Sequence, residues 1–142
     1  MKKLFLFVSL IALTVSLNSC SSDSDGGGGK SISFKIGGVN KTFSTIAAAE
    51  NGGFVFVTGF NGTASSQTES VSFTIATGAT GANKVSNFTY TTQGGNSFIA
   101  DPLTSDVTTN SGSSVKGTFS GTLQGVSSSD LIMTEGKFSV KY

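Results

Sequence analysis

The chain has 142 residues, a formal net charge of +1, no histidine and no tryptophan. All nine of its basic residues are lysine, so it offers no guanidinium fork for phosphate or carboxylate. These absences exclude imidazole-dependent nucleophilic triads and remove the commonest zinc ligand, and the scattered lysines make no footprint for nucleic acid.

In chain order, Lys2 and Lys3 precede an almost wholly apolar run at residues 4–17, which is short for a membrane span. The run ends in Leu17-Asn18-Ser19-Cys20, which contains the only cysteine. This arrangement resembles the lipobox of bacterial lipoproteins, in which Leu17, Ser19 and Cys20 are the recognised positions. The resemblance implies that residues 1–19 are a cleaved signal and that the Cys20 thiol takes the lipid. It implies anchoring to the outer membrane through that lipid, with surface display favoured over the periplasmic face. Cleavage leaves seven lysines against eight acids, a net charge of −1.

Residues 20–29 hold the sequence Ser-Ser-Asp-Ser-Asp followed by four glycines after the cysteine. They read as a flexible tether with an r.m.s. reach of about 17 Å. Asp23 and Asp25 resemble the acidic export signal of surface lipoproteins in the Bacteroidota.

From residue 30 the pattern has period two, as half-buried strands require. Ile32, Phe34 and Ile36 alternate with polar residues, and residues 41–46 return after a Gly-Gly turn, so the pair reads as a hairpin. Residues 54–60 (FVFVTGF) are apolar on both faces, which predicts a central strand covered on both sides. Residues 47–50 (AAAE) are the only helix-favouring cluster, too short to stand alone. Val71, Phe73 and Ile75 mark the next strand, and residues 77–83 a Gly-rich loop. Phe88 and Tyr90 share one face of the strand at residues 85–91. Asp101-Pro102 reads as a break. Residues 115–123 alternate cleanly, with Gly117 and Gly121 leaving room inward for an aromatic ring or a bulge. Gly136 is expected at a positive φ.

Together these elements predict an all-β domain over residues 30–142. The expected architecture is an antiparallel β-sandwich or flattened barrel of about nine strands. Ten phenylalanines follow the signal and are expected to supply its core.

The segments KGTFSGTL at 116–123 and TEGKFSV at 134–140 resemble the C-terminal pattern of small β-rich lipoproteins of the Bacteroidota. These form a domain family of unknown function. The resemblance implies an outer-membrane lipoprotein with an antiparallel β fold and supplies no site.

No cofactor or metal is expected. Asp101, Asp106, Asp130 and Asn110 fit no calcium-loop spacing and read as solvated loop groups. Asp101 and Asp106 are the candidate pair for a carboxylate hydrolase, a reading ranked below a non-catalytic one. The remaining functional reading is a binding or accessory domain for glycan or an envelope protein, with a structural or adhesion role as the alternative. Its candidate contacts are Tyr90 as a surface aromatic, and Asn61, Gln67, Gln93 and Asn96 as loop amides for hydroxyl groups.

Overall fold

The computed structural model describes residues 29–63 and 66–142, so the signal, Leu17, Ser19, Cys20 and the tether up to residue 28 lie outside the described residues. Two hairpins come first, β1 (Ser31–Ile36) with β2 (Val39–Thr42) and β3 (Thr45–Asn51) with β4 (Phe54–Thr63). β5 (Ser66–Ala76), the short β6 (Gly81–Ala82), β7 (Val85–Thr91) and β8 (Ser97–Ser111) follow. β9 (Ser114–Gly125) and β10 (Leu131–Lys141) complete the chain. The two leading hairpins turn through Gly37-Gly38 and Gly52-Gly53, with φ between 56° and 82°. Two consecutive left-handed residues are what a tight two-residue turn requires.

Every ladder is antiparallel, in the order β2-β1-β10-β9-β8-β7-β5-β4-β3, with β6 paired to β8. The sheet is single and curls into a half-barrel, the open form of the expected flattened barrel. Its curl is visible in the core. Phe34 of β1 lies four strands from β7 in the order, yet its ring is 5.5 Å from Tyr90 and 6.1 Å from Phe88. It also meets Phe43 at 5.6 Å and Phe119 at 5.8 Å. Phe73, Phe88, Phe119 and Phe138 continue the cluster, with centroids 4.9–6.2 Å apart.

The glycines of β9 and β10 make room for these rings. A methyl at Gly117 would stand 2.7 Å from Phe138 Cζ, and one at Gly136 would overlap the Phe119 ring and carbonyl. Gly121 faces the backbone of Pro102 across a bulge in β8. The positive φ expected at Gly136 falls instead on Glu135, at 53°, within the bulge of β10. Lys35 pairs with Glu135 there at 2.8 Å.

The chain departs from the expected elements at three further points. The AAAE cluster is strand β3, because β4 supplies its ladder hydrogen bonds from Thr45 to Asn51. Asp101-Pro102 does not end a strand; β8 runs through it, with the proline at the bulge between Ala100 and Leu103. β4 is covered on one face only: Val55 and Val57 are buried, whereas Phe54 and Phe56 are exposed.

Gly136→Ala is expected to cost about 1–3 kcal/mol through overpacking against Phe119. The readout is a lower denaturant midpoint with an unchanged slope. Gly94→Ala, whose new methyl meets nothing nearer than 3.9 Å, is expected within about 0.5 kcal/mol of wild type. Equal midpoints for the two variants would contradict the packing described.

Candidate binding surface

Alternation decides the outer face of β4. With Val55 and Val57 turned into the core, Phe54 and Phe56 must project the other way. They are 45% and 47% exposed, and two residues along a strand puts them about 6.8 Å apart. Phe56 sits between Ala49 of β3 and Thr74 of β5, and Phe54 between Asn51 and Ala76. Thr74 in turn lies opposite Ser86 of β7. The Thr74 and Ser86 hydroxyls are 2.9 Å apart, and Asn87 Nδ2 donates to Thr74 Oγ1 at 3.1 Å. A row Ala49–Phe56–Thr74–Ser86 therefore crosses β3, β4, β5 and β7, about 14 Å in three strand spacings. The surface is open, apolar in the middle and polar at one end, with hydroxyl and amide groups exposed to solvent.

Of the five sequence-selected contacts, Gln67 falls in strand β5 rather than a loop, and the other four lie away from this row. Tyr90 is a correction: its ring is 1% exposed and belongs to the core, because it shares the inward face of β7 with Phe88. Its hydroxyl donates to Glu69 Oε1 at 2.6 Å, and Lys41 Nζ donates to the same oxygen at 2.6 Å. Asn61 is in β4 rather than a loop, and its amide is committed to backbone. Its Nδ2 donates to the Thr42 carbonyl at 2.8 Å, and its Oδ1 accepts from the Ser44 N–H at 3.0 Å. Asn61 and Tyr90 thus meet Glu69 in a clasp that ties β2, at one end of the strand order, to β4, β5 and β7.

Gln93 and Asn96 occupy the β7–β8 turn, where the Asn96 carbonyl accepts from the Thr92 N–H at 3.0 Å. Each borders a shallow depression, of about 200 Å³ beside Gln93 and about 210 Å³ beside Asn96. Both fall short of the ~300–1,000 Å³ usual for a small-molecule site. Asn110 is buried in β8, its amide donating to the Ala76 and Ala79 carbonyls at 2.9 and 3.0 Å. Asp130 Oδ1 accepts from the Gly125 N–H at 3.2 Å. Among the described residues no acidic, histidine or cysteine side chains gather into a group of three or more.

Partial burial opposes ionisation of Glu69. The hydrogen bonds from Lys41 and Tyr90, the Lys41 charge and Asn61 outweigh it and hold the carboxyl below its ordinary 4.5. Burial, together with the Glu69 hydrogen bond and charge, raises the Tyr90 hydroxyl, which stays protonated as a donor.

Comparison with protein-family models, with curated proteins and with solved structures finds no match to this chain.

A depressed carboxyl stabilises the fold above its unfolded value and loses that contribution as pH falls through the folded one. Glu69→Gln should therefore cost about 1–3 kcal/mol at pH 7 through the lost charged hydrogen bonds. The gap to wild type should close as pH falls below 4.5. Denaturant midpoints measured at pH 7 and in acid check this; a gap independent of pH would remove the ionised clasp.

Proposed function

We propose that this chain is a lipid-anchored, non-catalytic binding lipoprotein of the outer membrane, displayed at the cell surface, whose domain holds glycan on the Phe54/Phe56 face. One observation carries the reading: two phenyl rings stand exposed side by side on a rigid strand, continued by a row of hydroxyl and amide groups. The faces of pyranose rings are C–H surfaces that pack on aromatic rings, while their hydroxyls need polar partners at the rim. Phe54 and Phe56 offer the first, and Thr74, Ser86 and Asn87 the second. An open row suits a chain of sugars better than a single small molecule, which would need an enclosing pocket.

The anchor in this reading is Cys20. Acyl chains contribute about 0.8 kcal/mol per buried CH₂, and more than one chain gives stable attachment. The resemblance of the segments at 116–123 and 134–140 to Bacteroidota lipoproteins supports the same location. A second reading, a structural envelope component, is favoured by the edge of β3, which has no ladder partner beyond β4 and is considered below.

Retention of the membrane-displayed chain on soluble α-glucan, β-glucan and mannan tests the ligand class. Binding to one of them, weakened about tenfold by Phe56→Ala (about 1.4 kcal/mol), is expected. Because Phe56 is exposed, stability should change by no more than about 0.5 kcal/mol. No retention on any of the three, or retention indifferent to Phe54→Ala and Phe56→Ala, would refute the glycan reading. Cys20→Ala should move the chain from the membrane to the soluble fraction, and protease added to intact cells should degrade the wild type. Membrane partitioning unchanged by Cys20→Ala would defeat the lipid anchor; protection until lysis would defeat surface display.

A further inference from the structure

An open sheet has two edges, and the edges here are treated differently. β2 is only four residues long and carries Lys41, both of which discourage pairing. β3 is seven residues long, contains neither lysine nor proline, and pairs with β4 from end to end without a bulge. Every second residue of β3 directs its N–H and C=O away from β4. No ladder or other backbone hydrogen bond of the described residues reaches that side.

From this we infer that β3 pairs antiparallel with β3 of a second copy, about a two-fold axis at Ala48. The inference goes beyond the glycan reading and does not depend on it. A two-fold contact sets each residue against its counterpart in reverse order, so the segment must tolerate itself. Thr45–Asn51 does. Ala48 meets Ala48 of the second copy, Ala47 meets Ala49, and Thr45 meets Asn51. The only charge, Glu50, falls opposite Ile46 rather than beside its like. Its carboxylate is also engaged within its own chain, accepting from Thr77 Oγ1 at 3.2 Å.

Pairing also gives the exposed aromatics a context. Ala47 and Ala49 face outward, so the joint would have an outer floor of four alanine methyls. Phe56 of each copy borders that floor through its pairing with Ala49. The two rings then stand three strand spacings apart and two residues out of line along the strands, about 16 Å in all, across a shallow trough. A foreign strand would satisfy the same backbone groups, but nothing on β3 selects one: its outward positions are Thr45, Ala47, Ala49 and Asn51, without a pocket or a charge to read. Self-pairing needs only what β3 has.

The test uses the full chain in cells, with Ala48→Cys as the self-opposed thiol and Ala47→Cys/Ala49→Cys as a second variant whose thiols oppose each other across the axis. The controls are the wild type and Thr104→Cys, a site exposed on β8. Mild oxidation should yield a disulfide dimer on non-reducing gels with at least one test variant, at least fivefold above both controls. Adding Ala47→Lys to the Ala48→Cys chain should abolish that dimer, since two ammonium groups would then flank the axis. Dimer at or below the control level with both test variants overturns the pairing, as does dimer indifferent to Ala47→Lys. Polysaccharide retention by a chain that fails to cross-link would leave the glycan reading standing and remove the pairing alone.

Discussion

Phe34 is the point on which the curl of this sheet depends. A flat antiparallel sheet of nine strands would expose both faces of every strand and bury nothing. Bringing β1 over β7 and β9 converts one face into an interior, and the Phe34 ring, 1% exposed, occupies the place where they meet. Each aromatic pair adds about 0.5–1.5 kcal/mol beyond the area it buries. The edge-on contacts of Phe34 with Phe88, Tyr90 and Phe119 also constrain direction, since rings at 61–89° to one another favour one orientation. The glycines follow from this: Gly136 lies against Phe119, Gly117 under Phe138, and Gly59 against Ile32 and Phe43. The pattern shared by β9 and β10 is therefore a packing pattern, in which glycines exist because phenylalanines rest on them.

Once one face is interior, the other is wholly solvent, and most of it is serine, threonine and alanine. That makes the exceptions informative. Phe54 and Phe56 are adjacent on one strand, whereas Ile99 and Ile132 are separated by β9. Singly exposed apolar residues are ordinary. A pair of rings on a rigid strand, with ordered hydroxyls beside it, is a surface with a shape.

Much of the fold was legible because alternation is a direct consequence of burying one face. Ile32, Phe34, Val71, Phe73, Ile75, Val115 and Phe119 all point where period two puts them. The failures have physical causes. The run at 54–60 alternates Phe with Val, so hydropathy cannot tell its faces apart; only the absence of a second layer decides that the phenylalanines face out. Tyr90 was open to a better reading, since Phe88 two residues earlier shares its face. The bulges at Glu135 and Pro102 shift parity without a mark in composition. The pairing of β1 with β10 joins the ends of the domain and leaves no local trace. The Glu69 clasp gathers residues 41, 61, 69 and 90, which no spacing rule connects.

The two walls of the half-barrel also bear on how an anchored domain would present itself. Ile32 of β1 reaches to within 3.1 Å of where a Gly59 methyl would stand on β4. β1 and β4 therefore face each other across the core, and their outer faces point in opposite directions. The segment that leads into β1 is the one that would carry the lipid. Under the anchoring proposed above, a domain held at that end would carry its Phe54/Phe56 wall on the side opposite β1. The β3 edge borders the Phe54/Phe56 wall, so pairing there would extend the aromatic surface from one copy to the next. The clasp at Glu69 is what keeps this arrangement defined, because it fixes β2, next to β1, to the strands that carry the aromatic row.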